Sequence, residues 1–117
     1  MTSPVRLCLL LCAWTTSVCV YAQPLPIRVG FTSTLSGPQA AYGQGLLHGA
    51  RLAARRANAA GGIAGRPIDL VVLDDTGDPQ RAAANARELL DSGAVALIGV
   101  HGARTAAAVA ATLVTNG

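Results

Sequence analysis

A chain of 117 residues is long enough for one small domain or one lobe of a larger one, and no more. Half of it is hydrophobic (51%), but aromatics make up only 3%, and the formal net charge is +3. All nine basic residues are arginines, scattered rather than clustered, which argues against the basic, aromatic-studded surface that nucleic acid requires.

Residues 1–22 read as an export signal. Arg6 is the only charge before residue 28, and an apolar stretch from Leu7 to Trp14 follows it. Val20 and Ala22 then give the small-x-small pattern of a cleavage site ahead of Gln23-Pro24. The apolar run is too short to span a bilayer as a permanent helix. Val18 is bulky where lipid attachment at Cys19 would want a small residue. Cys8, Cys12 and Cys19 are all the cysteines there are, so residues 23–117 have no disulfide, thiol nucleophile or thiolate metal site to offer.

Beyond the stiff Pro24-Leu25-Pro26, Ile27–Phe31 alternates as a short strand should. Thr32–Gly43 is rich in Ser, Gly and Pro and reads as a loop. From Gln44 to about Ala60, Leu46, Ala50, Ala53 and Ala57 recur on one helical face, with Leu47 and Ala54 beside them and arginines opposite. Gly61-Gly62 suits the left-handed cap that ends such a helix. A tight link at 63–67 leads to a second strand, Ile68–Leu73, apolar enough to suggest cover on both faces.

Asp78-Pro79 opens a second helix, with Asp as N-cap and Pro at the first helical position. Its buried stripe is Ala82, Ala83, Ala86, Leu89 and Leu90, and Ser92-Gly93 stops it. Val95–Ile98 is a third strand, and a third helix runs over about Thr105–Val114. Strand and helix alternating at short spacing predict an α/β fold: a three-layer open parallel sheet with right-handed crossovers. Three strands with alanine-rich helices make a thin core, and one sheet edge is expected to be left unpaired.

In such a sheet a ligand sits beyond the carboxyl ends of the strands, beside helix N-termini whose free N–H groups suit an anion. Three segments qualify: Thr32–Gly43, Asp74–Asp78 and Gly99–Thr105. In the first, Ser36 offers a hydroxyl and Gly37 an uncrowded backbone. Tyr42 suits either of two roles, walling a pocket for an apolar side chain or sealing the loop onto the sheet. In the third, Gly102 and Ala103 let a ligand approach their N–H groups. Thr105 fits a helix cap, and its hydroxyl also fits a ligand carboxylate. Arg104 either meets an anion or is solvated. His101 reads as a loop residue rather than a general base. It and His48 lack a metal-ligand spacing. Asp74, Asp75 and Asp78 read as caps and turn bonds, not a metal site. Neither GxGxxG nor GxxxxGK[ST] nor a G-x-S-x-G elbow is present, so no cofactor and no catalysis are expected.

One ordered set of residues is similar to a known family. Ile27-Arg28-Val29-Gly30, Leu35-Ser36-Gly37-Pro38, Ala41-Tyr42-Gly43, Gly49-Ala50, Asn58–Arg66, Asp74–Pro79 and Ile98-Gly99 resemble the start of the periplasmic leucine/isoleucine/valine-binding proteins. These are solute receptors of ABC importers with a type I periplasmic-binding fold. The resemblance implies that residues 23–117 are the N-terminal part of the first lobe of a two-lobed protein. The lobes would close on a branched-chain amino acid or a similar small amino acid, amide or carboxylate, and the closed form would dock on an inner-membrane permease. It also implies a periplasmic location, a cleft-lining role for Tyr42, and a carboxylate site near the end of the third strand. Gly102-Ala103-Arg104-Thr105 departs from the serine-rich run usual there. Gly102 and Ala103 keep their N–H groups and Thr105 the one hydroxyl, which weakens the case for branched-chain ligands in particular. A sensory receptor domain and a truncated product without independent binding are the alternative readings.

Overall fold

A computed structural model describes residues 22–115. The expected export signal lies outside the described residues except for Ala22. Strand β1 (Ile27–Ser33) is central. Strands β2 (Ile68–Asp74) and β3 (Ala96–Ile98) pair with it, both parallel, in the order β2-β1-β3. Helices α1 (Ala40–Ala59), α2 (Pro79–Asp91) and α3 (Ala103–Thr115) follow the three strands in turn. The fold is therefore the expected α/β open parallel sheet.

Alternation along β1 assigns the layers. Gly30 lies under Leu89 of α2, and Thr32 accepts a hydrogen bond from Asn85 of α2 at 3.0 Å. The side chains between them point the other way. Val29 joins Ala50, Ala54 and Ala57 of α1 around an apolar hollow of about 250 Å³ that Ile98 also lines. Helix α1 thus covers one face, and α2 with α3 the other. Ala82 and Ala86 of α2, Val109 of α3 and the strand residue Leu97 form the core of the second side. Phe31 and Leu89 are the largest side chains fully buried. Each such burial is worth about 1.5–3 kcal/mol, whereas the alanines contribute little apiece.

Both helix ends marked by glycine close in the same way. At the end of α1, Gly62 N–H donates to Ala57 C=O at 2.8 Å and Gly61 N–H to Asn58 C=O at 3.1 Å, with positive φ at both glycines. Ala94 N–H to Leu89 C=O and Gly93 N–H to Leu90 C=O repeat the pattern after α2. These are paired Schellman bonds, which satisfy the orphan carbonyls of a last turn. The Asn58 side chain adds two bonds to the backbone of Ile68, one donated and one accepted, tying the end of α1 to the start of β2.

Several boundaries differ from the sequence expectation. Strand β1 runs two residues further, through Thr32 and Ser33. Helix α1 begins at Ala40 instead of Gln44, so Tyr42 and Gly43 belong to its first turn and not to a loop. Helix α3 begins at Ala103, which makes Thr105 its third residue and not its cap. Gly102, at φ +87°, turns the chain into the helix, and its carbonyl accepts from Ala106 N–H. Strand β2 is half-buried throughout instead of covered on both faces, because it is an outer strand of the sheet. The outer edge of β3 has no strand partner among the described residues, as expected.

The early start of α1 brings the helix against the end of β1. A Cβ on Gly43 would lie 2.0 Å from the Thr34 carbonyl oxygen. Gly45, two residues on, has open space around it. Gly43→Ala should therefore destabilise the fold by about 1–3 kcal/mol through overpacking. Gly45→Ala should stabilise it by about 0.5–1 kcal/mol through helix propensity. Urea unfolding midpoints of the two variants test the contact, and equal behaviour would refute it.

Candidate ligand-binding site

Thr32 and Ser33 end the central strand and Thr34 follows it, and all three hydroxyl residues are buried: Thr32 and Ser33 fully, Thr34 at 5% exposure. Each is satisfied by a different element. Thr32 Oγ1 accepts from Asn85 of α2, and Ser33 Oγ lies 3.2 Å from His101 Nδ1 in the loop after β3. Thr34 Oγ1 donates to Asp75 Oδ1 at 3.0 Å in the loop after β2. The tips of all three strands are thereby held together at one end of the sheet.

Asp74 and Asp75 extend the same tie. Asp74 Oδ1 accepts from Leu35 N–H and Thr76 N–H, both at 2.8 Å, so one oxygen joins the first and second strand-tip loops. Asp75 is 1% exposed and also accepts from Gly77 N–H at 2.8 Å. Asp78 caps α2 through Gln80 N–H. The three aspartates are turn and cap residues, as their spacing predicts, and no group of acids, His or Cys able to hold a metal occurs among the described residues. Gln44 Nε2 donates to Leu35 C=O at 2.9 Å and fixes the first loop from the helix side.

Above these ties lie two adjoining hollows, the second the more polar. One, of about 300 Å³, is lined by Thr34, Ser36, Gly37, Pro38, Gln39, Thr76 and Gly77. The other, of about 380 Å³, is lined by Gln39, Gly77, Pro79 and residues 102–105. They share Gln39 and Gly77. The first loop, the second loop and the start of α3 therefore front one continuous surface. Of the candidate residues, Ser36 lies in the first hollow and Gly102, Ala103 and Thr105 in the second. Arg104 lines the second as well; it is exposed and makes no ion pair among the described residues. The Thr105 side chain is 7% exposed, largely turned into the protein.

Tyr42 lines neither hollow. It is 61% exposed and its ring stands against that of His101, with centroids 4.7 Å apart and planes tilted by 42°. Sequence reasoning did not single out Gln39, Gly77, Thr34 or the Ser33–His101–Tyr42 group. Gln39 and Gly77 carry no local signal, and Ser33 and His101 are brought together across 68 residues.

Several known proteins are similar to this chain in sequence and fold. A sequence profile described as periplasmic binding protein matches residues 26–117. The chain belongs to the periplasmic binding protein family. It is 33% identical over 91 residues to the Leu/Ile/Val-binding protein BraC3 of Rhizobium johnstonii, covering 78% of this chain and 25% of that protein. It is 38% identical over 73 residues to the Leu/Ile/Val-binding protein of Escherichia coli K12, covering 62% of this chain and 20% of that one. Among solved structures, it superposes on the branched-chain amino acid transporter substrate binding protein LivJ of Streptococcus pneumoniae, determined in complex with isoleucine. There the TM-score is 0.73 at 35% identity over 77% of this chain and 26% of that one. The chain spans about a quarter of the length of the relatives it matches. The family consists of binding proteins, not enzymes, in keeping with a sequence that carries no catalytic motif.

The Asp74 clamp makes the strand tips sensitive to acid. Partial burial acts to raise the Asp74 carboxyl, but the Ser36 hydroxyl, the Leu35 and Thr76 amides and the charge of Arg81 outweigh it and hold the group below its ordinary value. The stability this confers is complete above the pKa of an unfolded aspartate and is lost as pH falls through the lower, folded one. Asp74→Asn should remove that part of the acid dependence and leave a flatter profile of urea midpoint against pH in the acidic range. An unchanged profile would show that the clamp carries no linkage.

Proposed function

We propose that residues 23–117 form part of the first lobe of an extracytoplasmic solute-binding protein serving an ABC importer, and that residues 1–22 are its cleaved export signal. The observation that carries this reading is the continuous surface at the strand tips, part polar and part apolar, where Ser36 and Gly37 from one loop adjoin Gly102–Thr105 from another through Gln39 and Gly77. It fits a small solute with a carboxylate or a comparable polar head. Amides at the start of α3 meet the negative group, because the first N–H groups of a helix have no partner inside it. The printed names of the relatives, binding proteins for leucine, isoleucine and valine, support an amino acid or a close analogue as the solute.

The mechanism needs no chemical step. A second lobe closes over the solute, and the solute stabilises the closed form because it touches both lobes only there. The closed form is then the one an inner-membrane permease accepts. Tyr42, exposed at the rim beside the first loop, becomes covered on closure, and its ring serves as an anchor for the solute.

Two measurements test this reading. Calorimetric titration of the intact protein with a panel of amino acids and small carboxylates should find a binder. Tyr42→Ala should weaken that binding by about 1–3 kcal/mol, the cost typical of losing an aromatic anchor. An unchanged affinity in a folded variant removes Tyr42 from the site. In expressing cells, the protein recovered from the periplasmic fraction should begin at Gln23 by N-terminal sequencing. Recovery of an intact Met1 start from the cytoplasm would overturn the export reading.

A further inference from the structure

We propose that Arg104 receives a second negative group of the bound solute, so that this surface takes an acidic amino acid or a small dicarboxylate in preference to a neutral amino acid. This rests on the solute-binding reading above and names the class of solute it serves.

Arg104 is the one charged residue lining either strand-tip hollow. It is exposed and makes no ion pair among the described residues. The acids of the second loop are engaged elsewhere: Asp74 by the Leu35 and Thr76 amides, Asp75 by Thr34 and Gly77, and Asp78 by Gln80 N–H. The position is also a poor one for a cation. Arg104 is the second residue of α3, where the helix dipole is positive, and the first turn of α3 holds no acidic residue. A guanidinium is disfavoured there until an anion joins it.

The hollow has donors for one carboxylate without the guanidinium. Thr105 is 7% exposed, yet its Oγ1 has no hydrogen-bond partner among the described residues. No fully enclosed side-chain oxygen lacks a partner there, so this hydroxyl reaches the open surface. It lies 3.6 Å from the point that a Cβ on Gly102 would occupy, and Gly102 lines the hollow. The absence of that Cβ leaves the hydroxyl and the first amides of α3 open on the same side. One carboxylate of the solute takes these donors. The guanidinium is surplus to that set, and its planar fork of N–H groups matches a second carboxylate. Closure of the second lobe strips water from Arg104. A neutral tail would leave the charge unpaired in a low-dielectric site, whereas an anionic tail neutralises it.

L-glutamate and L-glutamine share one heavy-atom shape and differ in the charge of the tail. Succinate and succinamate repeat the comparison without an amino group. Titrated into the intact protein by calorimetry, the acid of at least one pair should bind about ten-fold or more tightly than its amide. Arg104→Gln, which keeps helix propensity and removes the charge, should erase that preference, and Arg104→Lys should retain part of it. The urea midpoint of Arg104→Gln should match that of the wild type, because Arg104 holds no partner within the fold. Amides that bind as tightly as their acids in both pairs, or leucine binding as tightly as either acid, overturn the proposal. So does a preference unmoved by Arg104→Gln in a folded variant. Should Arg104→Gln unfold, salt decides on the wild type: raising sodium chloride should weaken the acid more than its amide, and equal weakening refutes the assignment. If acidic and neutral solutes bind at the strand tips without preference, the role of Arg104 alone falls. If no member of the solute panel binds, the solute-binding reading falls with it.

Discussion

The end of the central strand is where this protein takes its shape. Thr32, Ser33 and Thr34 are polar and buried, a combination that water would oppose unless every hydroxyl found a partner. Successive side chains on a strand face opposite ways, so Ser33 points away from Thr32, while Thr34 lies just past the strand end. Asn85 answers on the side of α2, His101 from the loop after β3, and Asp75 from the loop after β2. Displacing any of these partners leaves a buried polar group unsatisfied, at a cost of about 1–3 kcal/mol. The strand tips are thus located by hydrogen-bond accounting and not by the thin alanine core beneath them.

The three loops are not held equally. The first and second are joined several times over, through the Asp74 clamp, the Thr34–Asp75 bond and the Gln44 bond to Leu35. The loop after β3 is held by the Ser33–His101 bond, the Tyr42 ring contact and the packing of Val100 against the core between α2 and α3. The proposed solute-binding surface would benefit from this division. The well-tied pair of loops supplies a fixed floor, while the third supplies side-chain identity at little cost to the fold.

Much of the fold was legible in the sequence because its signals are local. The Asp78-Pro79 start of α2 and the glycine stops after α1 and α2 follow from backbone chemistry that a few neighbouring residues decide. The parallel sheet followed from alternation of element types. What escaped was set by distant partners. Tyr42 and Gly43 look like loop residues until the Thr34 carbonyl shows why a glycine is needed inside the first turn of α1. Thr32 and Ser33 look like a polar loop because their burial depends on Asn85 and His101, far along the chain. Thr105 has a capping side chain, yet the positive φ of Gly102 starts α3 two residues before it. The candidate surface was legible as a set of strand-end loops, but not Gln39 and Gly77, which join its two halves.

At the opposite pole the chain enters under firm control. Ile63 and Arg66 pair across a tight reversal, and the Arg66 guanidinium donates to the carbonyls of Leu25 and Pro26. All three strands begin at this pole, and the seven residues of β1 separate it from the tips by about 20 Å. A bead, dye or surface linked ahead of Leu25 would therefore pull on a point already pinned, and the load would pass into the base of the sheet. The candidate surface at the far end would stay unobstructed, which gives the segment ahead of Leu25 a natural use as a handle for testing the proposed solute binding on an immobilised protein.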